Sequence, residues 1–209
     1  MALRPARIRD YDERARDSDE TETATFALGC FWGPEATFGA LDGVVRTRVG
    51  YAGGTKRDPS YHALGDHTEV FQVDYDSGTV PHTDLLARVF RSHDPNRRIR
   101  STQYQNVVFA APAQREALDA FLAERRLDPD AIETRIERFA RFYPAEDYYQ
   151  KHSLRGVPPF LDAFEEAGYD DEDIRESPAA AKLNGHAAGY DIAAARDLGL
   201  ADDRTARSR

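Results

Sequence analysis

Cys30 is the only cysteine in 209 residues. No disulfide can form within the chain and no zinc site built from several cysteines can staple it, so the fold must rest on a hydrophobic core. Apolar residues make up 41% of the sequence and aromatics 11%, enough to fill such a core at this length. No apolar run approaches the roughly 20 residues that cross a bilayer. Residues 1–20 contain no apolar stretch of signal-peptide type, and a cytoplasmic protein is expected. With 28 basic against 37 acidic side chains the net charge is -9, which disfavours general binding to nucleic acid or to a membrane surface.

Along the chain, residues 1–20 are dense in charge and read as a solvated or loosely docked arm, residues 21–170 as the main domain, and 171–209 as an acidic, alanine-rich extension holding a short helix and a tail. Within the main domain, 22–29 has the β-branched and aromatic pattern of a strand, and 30–41 that of a helix closed by Gly43. Strands are expected again at 44–54, 69–76 and 103–111, with a polar loop at 55–68. Helices are expected at 83–94, with Thr83 as N-cap, and at 112–126, with proline in first position. Residues 132–146 mix a strand with a turn at Pro144, and 147–156 and 159–169 look helical. The elements alternate without a steady βαβ period. This predicts an α+β fold, a two-layer α/β sandwich with a mixed, largely antiparallel sheet.

The stretch Gly29-Cys30-Phe31-Trp32-Gly33-Pro34-Glu35 carries the chemistry. It puts Cys30 at a strand-to-helix turn, where free N–H groups and the helix dipole favour negative charge. A thiol that ordinarily ionises near ~8.5 is expected to be lowered there and so activated as a nucleophile. Phe31 and Trp32 either enter the core as anchors, burying Cys30 between them, or line a pocket; the only tryptophan standing beside the only cysteine favours the pocket. Glu35, one turn further on, is read as a structural complement to the helix dipole. His62 and His67 read as solvated loop histidines, and no spacing of His, Asp or Glu suggests a metal site.

With these residues the chain resembles the A-type peptide methionine sulfoxide reductases, whose signature is a Gly-Cys-Phe-Trp turn at a helix start. The likeness continues through Val49-Gly50-Tyr51-Ala52-Gly53-Gly54, Pro59-Ser60-Tyr61 and Gly65-Asp66-His67-Thr68-Glu69-Val70. It resumes at His93-Asp94-Pro95, Thr102-Gln103-Tyr104 and Phe142-Tyr143-Pro144-Ala145-Glu146-Asp147-Tyr148, and so spans roughly 22–155. The resemblance implies a two-layer α/β fold and reduction of methionine S-sulfoxide, in proteins or as the free amino acid, to methionine. It implies Cys30 as the nucleophile that becomes a sulfenic acid, Glu69 as the acid, Tyr61 and Tyr104 as hydrogen-bond partners of the sulfoxide oxygen, and Phe31 and Trp32 as the slot for the S-methyl group. No cofactor is implied. The partners expected are the sulfoxide substrate and a thiol reductant, and a monomer is the default.

Three departures from the family pattern bear on function. The loop between Tyr61 and Glu69 is short. The segment Asn96-Arg97-Arg98-Ile99-Arg100-Ser101 carries arginines where the family has a substrate-holding aspartate, which points to acidic peptides or a carboxylate-bearing substrate such as free methionine sulfoxide. The C-terminal segment Leu183-Asn184-Gly185-His186-Ala187-Ala188-Gly189-Tyr190 lacks the resolving cysteines that many members carry, so an external thiol (thioredoxin, glutaredoxin or a small thiol) is expected to reduce the sulfenic acid. Two other readings compete: a thiol peroxidase, and a non-catalytic module that binds oxidised methionine on the same fold.

Overall fold

The structure, a computed structural model, describes residues 3–15 and 21–200. Alternating β-branched and aromatic residues form β1 (Thr21–Leu28), which runs antiparallel to β3 (Thr68–Asp76) on one side and to β4 (Asn106–Ala110) on the other. Phe26 faces Phe71 across the first pair and Val108 across the second. β2 (Val44–Ala52) pairs antiparallel with β3 and with the short β6 (Tyr143–Pro144), while β5 (Arg135–Arg138) lies parallel to β4. The order is β5-β4-β1-β3-β2-β6, a mixed and largely antiparallel sheet of the α+β class, as the sequence predicts. Residues Thr68 to Tyr75 of β3 are buried throughout, because this central strand is covered on both faces.

One face is packed by α2 (Trp32–Gly39), α3 (His82–Arg91) and α4 (Arg115–Glu124). Phe38 of α2 lies 4.9 Å from Phe71 and 6.0 Å from Phe26, ring centre to ring centre, which seats the helix on the strands that flank the site. The other face carries a smaller apolar cluster, Ala27, Ala52, Val70, Val107 and Phe109, with Phe139 and Phe142 packed on it.

Several local expectations are corrected. The helix expected from residue 30 begins at Trp32: Gly29 takes a left-handed φ of +70°, and the first helical bond, from Glu35 N–H to the Phe31 carbonyl (3.0 Å), makes Phe31 the N-cap. Thr83 is not a cap; it lies within the first turn of α3, behind Pro81 in the cap position. The 103–111 strand shortens to β4, the 112–126 helix opens as a 3-10 turn at Pro112–Gln114, and the 147–156 helix reduces to a 3-10 turn at Asp147–Tyr149 and α5 (His152–Arg155). Pro144 lies in β6 instead of a turn, which an outermost strand tolerates because one of its edges needs no N–H.

Both ends of the chain are more ordered than their composition suggests. The 1–20 arm contains α1 (Pro5–Arg14), whose Ile8 is fully buried, while residues 1–2 and 16–20 lie outside the described residues. The C-terminal segment carries α7 (Asp171–Glu176) and α8 (Pro178–Ala187), which with α1, α5 and α6 (Pro158–Glu166) build a second apolar core around Phe164, Ile174 and Leu183. Small side chains let α8 approach α2 so closely that a Cβ on Gly39 would stand 2.5 Å from the carbonyl oxygen of Ala181. Lys182 of α8 is buried and donates to the carbonyls of Gly39 (3.1 Å), Leu41 (2.5 Å) and Val44 (2.6 Å), tying the end of α2 to the start of β2.

Candidate active site

The site forms where β1 hands over to α2. Gly29 turns the chain, donating its N–H to the carbonyl of Gln105 (3.0 Å), and leaves Cys30 exposed just ahead of the helix. The next amide, Phe31 N–H, donates to Glu69 Oε2 at 3.1 Å, so the carboxyl is fixed one residue from the sulfur. Glu69 stands at the start of β3, 1% exposed, and its other oxygen accepts from Gln103 Nε2 at 2.7 Å. Gln103 is itself held, its carbonyl accepting from Glu69 N–H (2.9 Å) and Thr68 Oγ1 (2.7 Å).

Burial pushes the Glu69 carboxyl up from the ordinary glutamate range, and the two N–H donors offset part of that rise without reversing it. Its protonated form therefore persists to higher pH than in a solvated glutamate. Although Cys30 is exposed as a residue, its thiol also ionises above its ordinary value, first because neighbouring protein partly desolvates the sulfur, an effect that a hydrogen bond from Trp32 N–H opposes and the charge of Glu69 adds to. This corrects the expectation of a lowered thiol: Cys30 precedes the helix by two residues, and desolvation outweighs the single amide that the helix start contributes, with the charge of Glu69 adding to the rise.

Tyr61 and Tyr104 come together at the same place. The Tyr104 phenol is pushed up to about 12, first by its hydrogen bond with Tyr61, then by burial and by the charges of Glu69, Tyr61 and Cys30. Glu146 Oε1 accepts from Tyr61 N–H (3.0 Å) and Glu146 Oε2 from Tyr51 Oη (2.7 Å). Burial acts to raise the Glu146 carboxyl, but these bonds win and hold it below the ordinary range.

Around this polar group stands an aromatic wall. Phe31 is buried in the core and backs the wall instead of facing solvent, while Trp32 is half-buried. The hub is Tyr149, with ring centres at 4.6 Å from Tyr61, 5.9 Å from Trp32 and 6.1 Å from Phe31. His152 stacks on Trp32 at 3.9 Å, and the exposed Tyr148 lies 4.3 Å from Tyr149.

The six residues singled out from the sequence (Cys30, Phe31, Trp32, Tyr61, Glu69 and Tyr104) are thus brought to one site, with Phe31 beneath it. Glu35 is structural, though through a different interaction from the dipole: it is fully buried, accepts from Lys151 Nζ (2.8 Å) and Lys151 N–H (3.1 Å), and so ties α2 to the turn after Tyr149. His67 is corrected: it is 1% exposed, its Nδ1 accepting from Gly54 N–H and its Nε2 donating to the Lys56 carbonyl, whereas His62 is exposed as expected. Tyr51, Gln103, Glu146 and Tyr149 were given no role by the sequence, although they stand inside or beside the quoted motifs; a crowding of polar and aromatic residues in irregular segments was the one signal available.

The sequence model of the family "Peptide methionine sulfoxide reductase" matches residues 22–160. A rice protein, peptide methionine sulfoxide reductase A5, is 40% identical over 176 residues, covering 80% of this chain and 68% of its own. A Methanothermobacter thermautotrophicus peptide methionine sulfoxide reductase is 41% identical over 146 residues, covering 63% of this chain and 85% of its own. Among solved structures, Mxr1 of Saccharomyces cerevisiae in reduced form superposes with a TM-score of 0.59 at 31% identity over 68% of this chain and 88% of its own. Methionine sulfoxide reductase A of Corynebacterium diphtheriae gives 0.56 at 31% identity over 68% of this chain and 77% of its own. Two thirds of the sequence, including every residue of the cluster around Cys30, falls within the matched region, and the chain belongs to the peptide methionine sulfoxide reductase family.

Proposed function

We propose that the chain reduces methionine S-sulfoxide with Cys30 as nucleophile and Glu69 as acid. The observation that carries this reading is the bond from Phe31 N–H to Glu69 Oε2, which sets a buried, proton-retaining carboxyl beside the only thiol. The sulfoxide oxygen accepts hydrogen bonds from protonated Glu69 and from the phenols of Tyr61 and Tyr104, which draws electrons from the substrate sulfur. A neutral Glu69 also removes the charge that opposes ionisation of Cys30. The Cys30 sulfur then gives up two electrons to the substrate sulfur; the substrate S–O bond breaks and an S–O bond forms on Cys30. In balance, thiol and sulfoxide become sulfenic acid and thioether, with the thiol proton retained on the sulfenic oxygen. The S-methyl group packs against Trp32 and Tyr149, with Phe31 behind them.

Because these 209 residues hold no second cysteine, the sulfenic acid is returned to thiol by external thiols. Two thiols give one disulfide and one water, whether the donor is thioredoxin, glutaredoxin or a small thiol. A thiol peroxidase is a poorer fit: it needs a cation to hold the thiolate, and the charge acting on Cys30 is that of Glu69, which raises its pKa.

Incubation with separate S and R diastereomers of a methionine sulfoxide peptide and dithiothreitol tests the assignment. Methionine is expected from the S form alone, and from neither form with Cys30→Ser; consumption of the R form, or of neither by the native protein, contradicts it.

A further inference from the structure

The chain carries a net charge of -9, yet the loop that enters the site presents three arginines, Arg97, Arg98 and Arg100, all exposed. Among the described residues, none of their guanidinium groups makes a hydrogen bond or ion pair. The loop is nevertheless fixed. At one end Pro95 O accepts from the N–H groups of Glu133 (2.8 Å) and Thr134 (3.0 Å), and Arg97 N–H donates to Asp94 O (3.1 Å). At the other end Gln105 Nε2 donates to the carbonyls of Ile99 and Ser101, and Tyr104 N–H to Ser101 Oγ (3.2 Å). Arg100 is three residues from Gln103, the residue that binds Glu69, so their Cα atoms lie within about 11 Å.

Of the carboxylates nearby, that of Glu133 is exposed but lies outside residues 96–101, which carry none themselves, and the others are already engaged within the protein. Glu146 holds Tyr51 and Tyr61, Asp66 holds Thr55 and the Lys56 amide, and Asp94 holds the Asn96 amide. Asp147 lies 3.9 Å from Arg175. The uncommitted charge in the loop is therefore positive, and it sits on an anchored backbone beside the acid.

Resting on the function proposed above, we infer that this loop selects methionine sulfoxide within acidic protein segments, the arginines pairing with Asp or Glu that flank the oxidised residue. Guanidinium groups on three of four successive positions suit a run of carboxylates better than the single carboxylate of the free amino acid. The exposure of the loop makes each pair modest and sensitive to salt.

The test compares kcat/KM for S-sulfoxide peptides flanked by Asp and Glu, by Ala and Ser, or by Lys, at low and high ionic strength. The native protein and the triple variant Arg97→Gln, Arg98→Gln, Arg100→Gln are used, with N-acetylmethionine sulfoxide methyl ester as an uncharged substrate. Acidic peptides are expected to lead basic ones by about tenfold at low salt, with the ratio collapsing at high salt and in the variant. The uncharged ester should be reduced equally by both proteins. Equal rates on all three peptides, with the ester still turned over, overturn the selectivity and leave the reductase reading standing. Failure of the native protein on the ester overturns that reading instead. A variant that loses rate on free methionine sulfoxide as steeply as on acidic peptides also overturns the inference, since one carboxylate would then suffice.

Discussion

At Cys30, the proposed nucleophile, the sequence placed the thiol at the strand-to-helix turn but misjudged its electrostatics. A glycine, a cysteine and two aromatics at a strand end are visible in one dimension; a carboxylate on a strand 38 positions beyond Phe31 is not. Desolvation first, and then the charge of Glu69, raise the thiol, and burial raises Glu69. The signs then follow: the thiolate gains population as pH rises through the raised Cys30 value, while the proton of Glu69 is lost as pH rises through its own raised value. Replacing Glu69 by Gln removes the negative neighbour, so the thiol should ionise at lower pH, even as sulfoxide reduction slows by about 10²–10⁴-fold for want of an acid. The pH dependence of iodoacetamide alkylation, followed beside turnover, checks this; a midpoint that stays put or moves upward means that Glu69 does not act on the sulfur as described. The same contrast governs the other residues. Tyr61 and Tyr104 are legible through their motifs, whereas Tyr149 becomes the aromatic hub only because the left-handed Lys151, at φ +54°, and its bond to Glu35 turn the chain back on α2.

Among the elements, the strands and the helices on the main sheet were legible because period-two and period-3.6 apolar patterns record which face is buried. The C-terminal segment was not, because alanines carry little amphipathic signal, while Gly39 and Gly185 let α2 and α8 pack backbone to backbone. Nor does composition reveal that Lys182, whose ammonium burial pushes down to about 8, is enclosed to hold three carbonyls between the end of α2 and the start of β2. Lys182→Met keeps the bulk of the side chain but strips those carbonyls of their donor. It should lower the unfolding free energy by about 3 kcal/mol, read as a fall in the denaturant midpoint at unchanged slope. A change within about 0.5 kcal/mol, the range of a bland surface substitution, would mean that these bonds contribute nothing.

For the whole molecule, the sheet and its two apolar cores serve to bring a turn between β1 and α2, the head of β3 and two irregular segments to one point. A chain with a single thiol can accept one oxygen and must then wait for a reductant. The most direct measurement is therefore a single turnover: excess S-sulfoxide peptide, the 209-residue chain, no added thiol, with methionine counted and Cys30 probed by dimedone and mass spectrometry. The account predicts one methionine per chain and dimedone-trapped sulfenic acid on Cys30. Methionine released while Cys30 remains a free thiol, or released equally by Cys30→Ser, would contradict it.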